Sequence, residues 1–162
     1  MAPSRNRFYN DRAGNHSPAF LQECGPVLNV LIHIPAALAK MIAAAGGTIP
    51  APEAGLALLD TGASATCVHE PVLQRLGLNP IGTVMSGTAA GQVPHNIYPA
   101  RIEFPGEAID RDFNAVAGVD LSGQAVSLTT GLHSIIALIG RDVMADWILT
   151  YNGVGGFISI SF

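Results

Sequence analysis

Gly55-Leu56-Ala57-Leu58-Leu59-Asp60-Thr61-Gly62-Ala63-Ser64-Ala65-Thr66-Cys67-Val68 decides how the rest of the chain is read. An apolar run ends in a carboxylate, followed at once by a hydroxyl, a glycine and a series of small residues. Leu56–Leu59 has no polar partner and reads as a buried strand. Thr61-Gly62-Ala63 then turns the chain sharply, because glycine tolerates backbone angles that a side chain forbids. A lone Asp at the end of a buried strand is costly unless it is hydrogen-bonded or put to use. Asp60 is therefore either a turn residue bonding nearby backbone N–H groups or a group that does chemistry. Average residue usage makes a chance Asp-Thr-Gly in such a chain an event of about a few per cent. The apolar lead-in and the small-residue tail make chance less likely still.

With those residues in view, Leu58-Leu59-Asp60-Thr61-Gly62-Ala63-Ser64 resembles the catalytic loop of the aspartic proteases. A second stretch lies far downstream, Ile135-Ile136-Ala137-Leu138-Ile139-Gly140-Arg141-Asp142. It resembles the retropepsin branch, in which an apolar strand running into Gly-Arg-Asp opens the helix behind the active site. The two stretches come in the family's order. The resemblance covers residues 26–162 apart from an insertion at about 35–54. It implies an all-β fold, a retropepsin-like closed β-barrel or sandwich lobe with one or two short helices and a flap hairpin. It also implies action as a symmetric dimer.

The chemistry that goes with such a loop needs two carboxylates. Two like charges about 3 Å apart cannot both ionise comfortably, so they share one proton. One acts as general base on a water held between them; the other polarises the scissile carbonyl and stabilises the oxyanion. The chain supplies one credible catalytic Asp, so two copies would have to meet across a twofold axis, each giving its Asp60. The family then implies a role for each matching residue. Asp60 activates the water, Thr61 ties the two loops together through hydroxyl-to-backbone bonds, and Gly62 lets substrate backbone approach. Ala63 and Ser64, with Thr88, Ala89, Ala90 and Gly91 of the flap, would contact the substrate. Thr66, Gly140, Arg141 and Asp142 would be structural, with Asp142 reaching Thr66. One departure stands out. Many viral members carry an acidic residue shortly after the Asp-Thr-Gly-Ala, next to the Arg, whereas Ser64 and Ala65 stand here. Arg141 thus lacks the usual carboxylate for its intersubunit ion pair.

Composition agrees with a folded β domain. A chain of 162 residues makes one domain with a sizeable core. Charged residues are 12% and hydrophobic ones 49%, well short of a disordered composition. The 18 glycines and 11 prolines favour many short strands over a helix bundle. A formal charge of -4, with no basic cluster after residue 12, argues against nucleic acid as a partner. Cys24 and Cys67 have neither metal-ligand nor disulfide-framework spacing, so a reducing, cytoplasmic setting is expected. His16, His33, His69, His95 and His133 show no zinc-type pairing, and neither metal nor cofactor is expected.

Along the chain, residues 1–25 are polar and irregular and read as a mobile arm, though Phe8, Tyr9 and Phe20 could dock. Pro26–Ile34 contains a strand, and Ala36–Ala45 favours helix. Residues 27–45 approach membrane-spanning length, but Asn29, His33, Pro35 and Lys40 interrupt them, and they lie too deep for an ordinary signal peptide. No membrane segment is expected. His69–Leu78 fits a short helix closed by Gly77, with His69 and Glu70 exposed. Thr83–Ser86 and Val93–Phe104 form a hairpin whose small-residue tip, Thr88–Gly91, would suit a mobile lid. Asp112–Val119 is another strand. Asp120-Leu121-Ser122-Gly123 is a turn rather than a second catalytic loop, since Leu follows its Asp. Ile135–Ile139 is a strand, Asp142–Trp147 a short helix, and Asn152-Gly153 a hairpin turn signal before the alternating strand Gly156–Phe162. Three functions fit: a homodimeric aspartic endopeptidase acting on polypeptides, a non-catalytic binding or dimerisation module with the same fold, and an unrelated all-β domain.

Overall fold

The computed structural model describes residues 5–88, 91–107 and 109–161. In chain order it contains β1 (Arg5–Phe8), α1 (Pro18–Cys24), β2 (Val27–His33), α2 (Ala36–Ala44), β3 (Glu53–Leu59), β4 (Cys67–His69) and α3 (Glu70–Arg75). There follow β5 (Gly82–Thr88), β6 (Gly91–Phe104), β7 (Ile109–Val119), β8 (Ala125–Leu128), β9 (Gly131–Ile139), α4 (Arg141–Met144), β10 (Ile148–Asn152) and β11 (Phe157–Ser161). Strands take 50% of the chain and helices 17%, which makes this the expected all-β lobe with a few short helices. The chain divides into two compact units, changing unit at 28/29, 55/56, 66/67 and 122/123.

The first unit holds the chain up to Leu28, Leu56–Thr66 and everything from Gly123 onward. Its centre is the parallel pairing of β3 with β9, where Leu56 faces Ile135 and Leu59 faces Ile139. Leu56, Ala57, Leu59, Ile135, Ile136, Ala137 and Ile139 are all buried, which is why these runs carry no polar residue. β8 adds to β9 antiparallel; its four residues, Ala-Val-Ser-Leu, carry too little pattern to read from sequence. β11 alternates as expected, with Ile158 and Ile160 buried, and pairs with β10 on one side and β1 on the other. Asn152 is paired with Phe157, so the β10–β11 turn spans 153–156 rather than the tight two-residue form that Asn-Gly suggests. The left-handed residue is Gly156 (φ 61°), and the Asn152 Oδ1 accepts the Gly155 N–H at 2.7 Å.

The mobile arm expected over 1–25 is corrected from residue 5 onward. β1 is hydrogen-bonded to β11, Tyr9 is buried and its hydroxyl donates to the Val27 carbonyl at 2.8 Å. Helix α1 starts at the Ser17 cap, whose Oγ accepts the Phe20 N–H at 3.3 Å, with Pro18 where a missing N–H costs nothing. It buries Phe20 and Leu21. Three apolar anchors outweigh the polar composition around them, because burying one such side chain contributes about 1.5–3 kcal/mol.

The second unit comprises 29–55 and 67–122. The β5–β6 hairpin is as expected, paired from Gly82↔Ile97 to Thr88↔Gly91; Ala89 and Ala90, assigned to its tip, lie outside the described residues. β6 also pairs antiparallel with β7, and with Leu31–His33 of β2. β4 runs parallel to β7, and α3 ends at Gly77 (φ 74°). Helix α2 forms within the expected insertion, and its first N–H donates to the Asp112 carboxylate at 3.0 Å. None of its residues is buried. No helix among the described residues is long and apolar enough to cross a membrane.

His69 and Glu70, read as exposed, are half-buried and bonded instead. The His69 Nδ1 accepts the Leu121 N–H at 3.0 Å. The Glu70 carboxylate accepts from the Asn96 amide at 2.8 Å and from the Tyr98 hydroxyl at 2.6 Å. Tyr98 is only 1% exposed, so its hydroxyl needs a partner at the rim, and Glu70 supplies it. The two bonds hold the Glu70 carboxyl below its ordinary range, Tyr98 contributing most. A carboxylate with a depressed folded pKa adds stability above its unfolded pKa and loses it as pH falls through the folded value. Glu70→Gln should therefore cost about 1 kcal/mol at pH 7. The difference from the parent should begin to shrink only as pH falls below the ordinary glutamate range, about 4.3, and go on shrinking toward the lower folded value. Urea unfolding of both proteins across pH 3–7 measures it, and a constant gap would refute it.

Candidate active site

The end of β3 delivers Asp60. Its N–H donates to the Ile139 carbonyl at 2.9 Å, and the preceding Leu59 N–H donates to the Pro26 carbonyl at 2.9 Å. The loop then closes on itself: the Ala63 N–H donates to the Asp60 carbonyl at 3.1 Å, and the Gly62 N–H donates to Asp60 Oδ1 at 2.8 Å. Asp60 is left half-buried while Thr61, Gly62, Ser64 and Ala65 are exposed. The glycine is needed for space rather than for backbone freedom. Gly62 is not among the left-handed glycines, but a Cβ there would stand 3.0 Å from Asp60 Oδ1.

Behind the loop stands the Gly140–Asp142 segment at the start of α4. Thr66 is buried, and its hydroxyl donates to Asp142 Oδ1 at 2.7 Å while its N–H donates to Oδ2 at 2.9 Å. The same hydroxyl accepts the Gly140 N–H at 3.0 Å. Asp142 also accepts the Val143 N–H at 2.9 Å, so one carboxylate meets an N–H in the first turn of α4 and fastens the loop. Gly140 is where the two segments cross most closely. A Cβ would lie 2.5 Å from the Ala65 carbonyl carbon and 2.7 Å from its oxygen. Arg141 completes the clamp: its N–H donates to the Ala63 carbonyl at 3.0 Å and its guanidinium to the Thr61 carbonyl at 2.6 Å.

Asp60, Thr61, Gly62, Ala63, Thr66, Gly140, Arg141 and Asp142 thus converge in the first unit. Ser64 lies on the same loop, and Thr88 and Gly91 belong to the second unit. Asp120 is exposed and bonds to the N–H and hydroxyl of Ser122, which is the self-capped turn expected of it. The Arg141–Thr61 contact was not read from sequence. The signal for it was present in Ser64 and Ala65, which leave the guanidinium without an acidic neighbour. The Ile139 and Ala63 carbonyls are backbone groups and leave no trace in a sequence.

An aspartyl protease family model of the retropepsin type matches residues 47–143, more than half of the chain. The chain belongs to the aspartyl protease family. The matched stretch of this family member begins in the connector before β3 and ends inside α4. It therefore encloses both the Asp60 loop and the Gly140–Asp142 clamp, and the reading as an unrelated all-β domain falls away. No curated protein matches the chain.

Proposed function

We propose that this family member is a homodimeric aspartic endopeptidase in which each protomer contributes Asp60 to one shared site. The observation that carries the reading is the Asp60 loop itself. A half-buried carboxylate is anchored by the Gly62 N–H through Oδ1, and Thr61, Gly62, Ser64 and Ala65 beside it are exposed in the single chain. Among the described residues no intrachain bond engages the Thr61 hydroxyl, which fits a group awaiting a partner loop. One Asp60 takes the proton of the bound water; its protonated counterpart donates to the scissile carbonyl oxygen. Water attacks the carbonyl carbon, the tetrahedral intermediate collapses, and the amine leaves with a proton from the dyad. The substrate is an extended polypeptide, laid along the β5–β6 hairpin by strand addition. A binding module would need neither Asp60 nor Thr61.

Thr61 tests the shared site. Thr61→Val keeps the volume and branching but leaves a buried polar group of the partner loop unpaired, at about 1–3 kcal/mol for each of two symmetric positions. The dimer should weaken by at least about thirtyfold, and activity should fall more at low protein concentration than at high. Thr61→Ser keeps the hydroxyl and should behave like the parent. Sedimentation and activity against enzyme concentration read both variants. A Thr61→Val protein that dimerises and cleaves like the parent would overturn the shared two-loop site.

A further inference from the structure

Arg141 makes no ion pair among the described residues. Its guanidinium turns instead to the Thr61 carbonyl, at 2.6 Å, the short distance expected of a charged donor. That carbonyl and the Gly62 N–H belong to one planar peptide unit. The oxygen of this unit takes the guanidinium, and its N–H donates to Asp60 Oδ1 at 2.8 Å. Guanidinium, peptide and carboxylate therefore form a single chain of hydrogen bonds, in which each strengthens the next. The peptide plane cannot rotate without losing both ends. The Arg141 backbone N–H pins the other side of the same turn, at the Ala63 carbonyl, 3.0 Å away.

We infer that Arg141 is a positioning residue for Asp60, orienting its carboxylate through the Thr61–Gly62 peptide. The inference rests on the assignment of Asp60 as the catalytic group. The position that would otherwise serve an ion pair is thereby turned to alignment within one protomer. A carboxylate free to swing loses the geometry in which the shared proton and the attacking water line up, and small misplacements of this kind cost up to about a hundredfold in rate. Substrate binding, which does not use the guanidinium, is left alone.

The test compares the parent with Arg141→Met, which keeps the apolar stem and removes the donors, and Arg141→Lys, which keeps a charged donor. Steady-state kinetics are run at protein concentrations where sedimentation shows every variant fully dimeric, with thermal unfolding as the check on folding. Arg141→Met should lose about ten- to a hundredfold in kcat with KM within about threefold of the parent, and Arg141→Lys should recover most of the loss. Should Arg141→Met fail to fold, Arg141→Gln is measured against Arg141→Lys under the same expectation. An unchanged kcat, a rise in KM alone, or a kcat restored merely by raising protein concentration would overturn the inference. Asp60→Asn separates the two assignments. If it cleaves like the parent, the reading of Asp60 fails. If it is inert while the Arg141 variants keep full kcat, only the role of Arg141 fails.

Discussion

Asp60→Asn abolishes peptide hydrolysis and leaves folding intact: this is the largest functional effect expected. The amide keeps the shape of the carboxylate and an oxygen to accept the Gly62 N–H, now at 2.8 Å on Oδ1, so the loop has no reason to rearrange. On the proposed reading, what disappears is the base, from both halves of the shared site at once. General acid–base groups contribute about 10²–10⁴ in rate, so the loss should be about a thousandfold or more. Thermal unfolding and sedimentation should match the parent. Asp120→Asn is the matched control, since that exposed carboxylate bonds to Ser122 of its own turn, with the His69 ring 4.0 Å away, and should retain full activity. Activity of Asp60→Asn within tenfold of the parent would move the chemistry elsewhere in the molecule.

Gly140→Ala should be the most damaging substitution for the fold relative to its size. One methyl would have to enter a space where backbone atoms of Ala65 stand 2.5–2.9 Å away. Backbone cannot swing aside as a side chain does, so either α4 or the loop must move. Overpacking of this kind costs about 1–3 kcal/mol and occasionally more, and here the movement would also stretch the Gly140 N–H bond to Thr66 and the Asp142 bonds beside it. A loss of about 3 kcal/mol lowers Tm by roughly 6–12 °C in a chain of this size. Gly87→Ala provides the contrast, because a Cβ at Gly87 meets nothing within 4 Å and its φ is not left-handed. Differential scanning of the three proteins reads the result. Equal Tm values for Gly140→Ala and the parent would mean that the crossing is looser than these distances require.

Much of this was legible in the chain because the signals are local. The apolar run before Asp60 marks β3, the Gly-Arg-Asp after Ile139 marks the start of α4, and Gly77 marks the end of α3. The contact between Asp142 and Thr66, implied by the family resemblance, is present. What escaped is decided by partners distant in sequence. Phe8, Tyr9 and Phe20 sit in polar surroundings, and their anchoring depends on elements such as β11 that lie far along the chain. Glu70 looks like a surface charge until the Tyr98 hydroxyl arrives from β6. The need for Gly62 is a matter of room beside a carboxylate oxygen, and no turn rule contains it. The division into two units cuts through β2 and β3, so no change of composition could announce it.

Among the described residues, the hydrogen bonds that shape Asp60–Thr66 from outside the loop come from Ile139–Asp142. Asp142 lies 76 residues beyond Thr66, and Arg141 lies 80 beyond Thr61. On the ribosome, at about 5–20 residues per second, the loop is therefore made roughly 4–16 seconds before its supports exist. During that interval the bonds from Ile139–Asp142 cannot form, so the Asp60 segment lacks its distant supports. On the proposed reading, a growing polypeptide of this kind would carry the catalytic aspartate without the framework that aims it, and neighbouring nascent chains would be spared during that window.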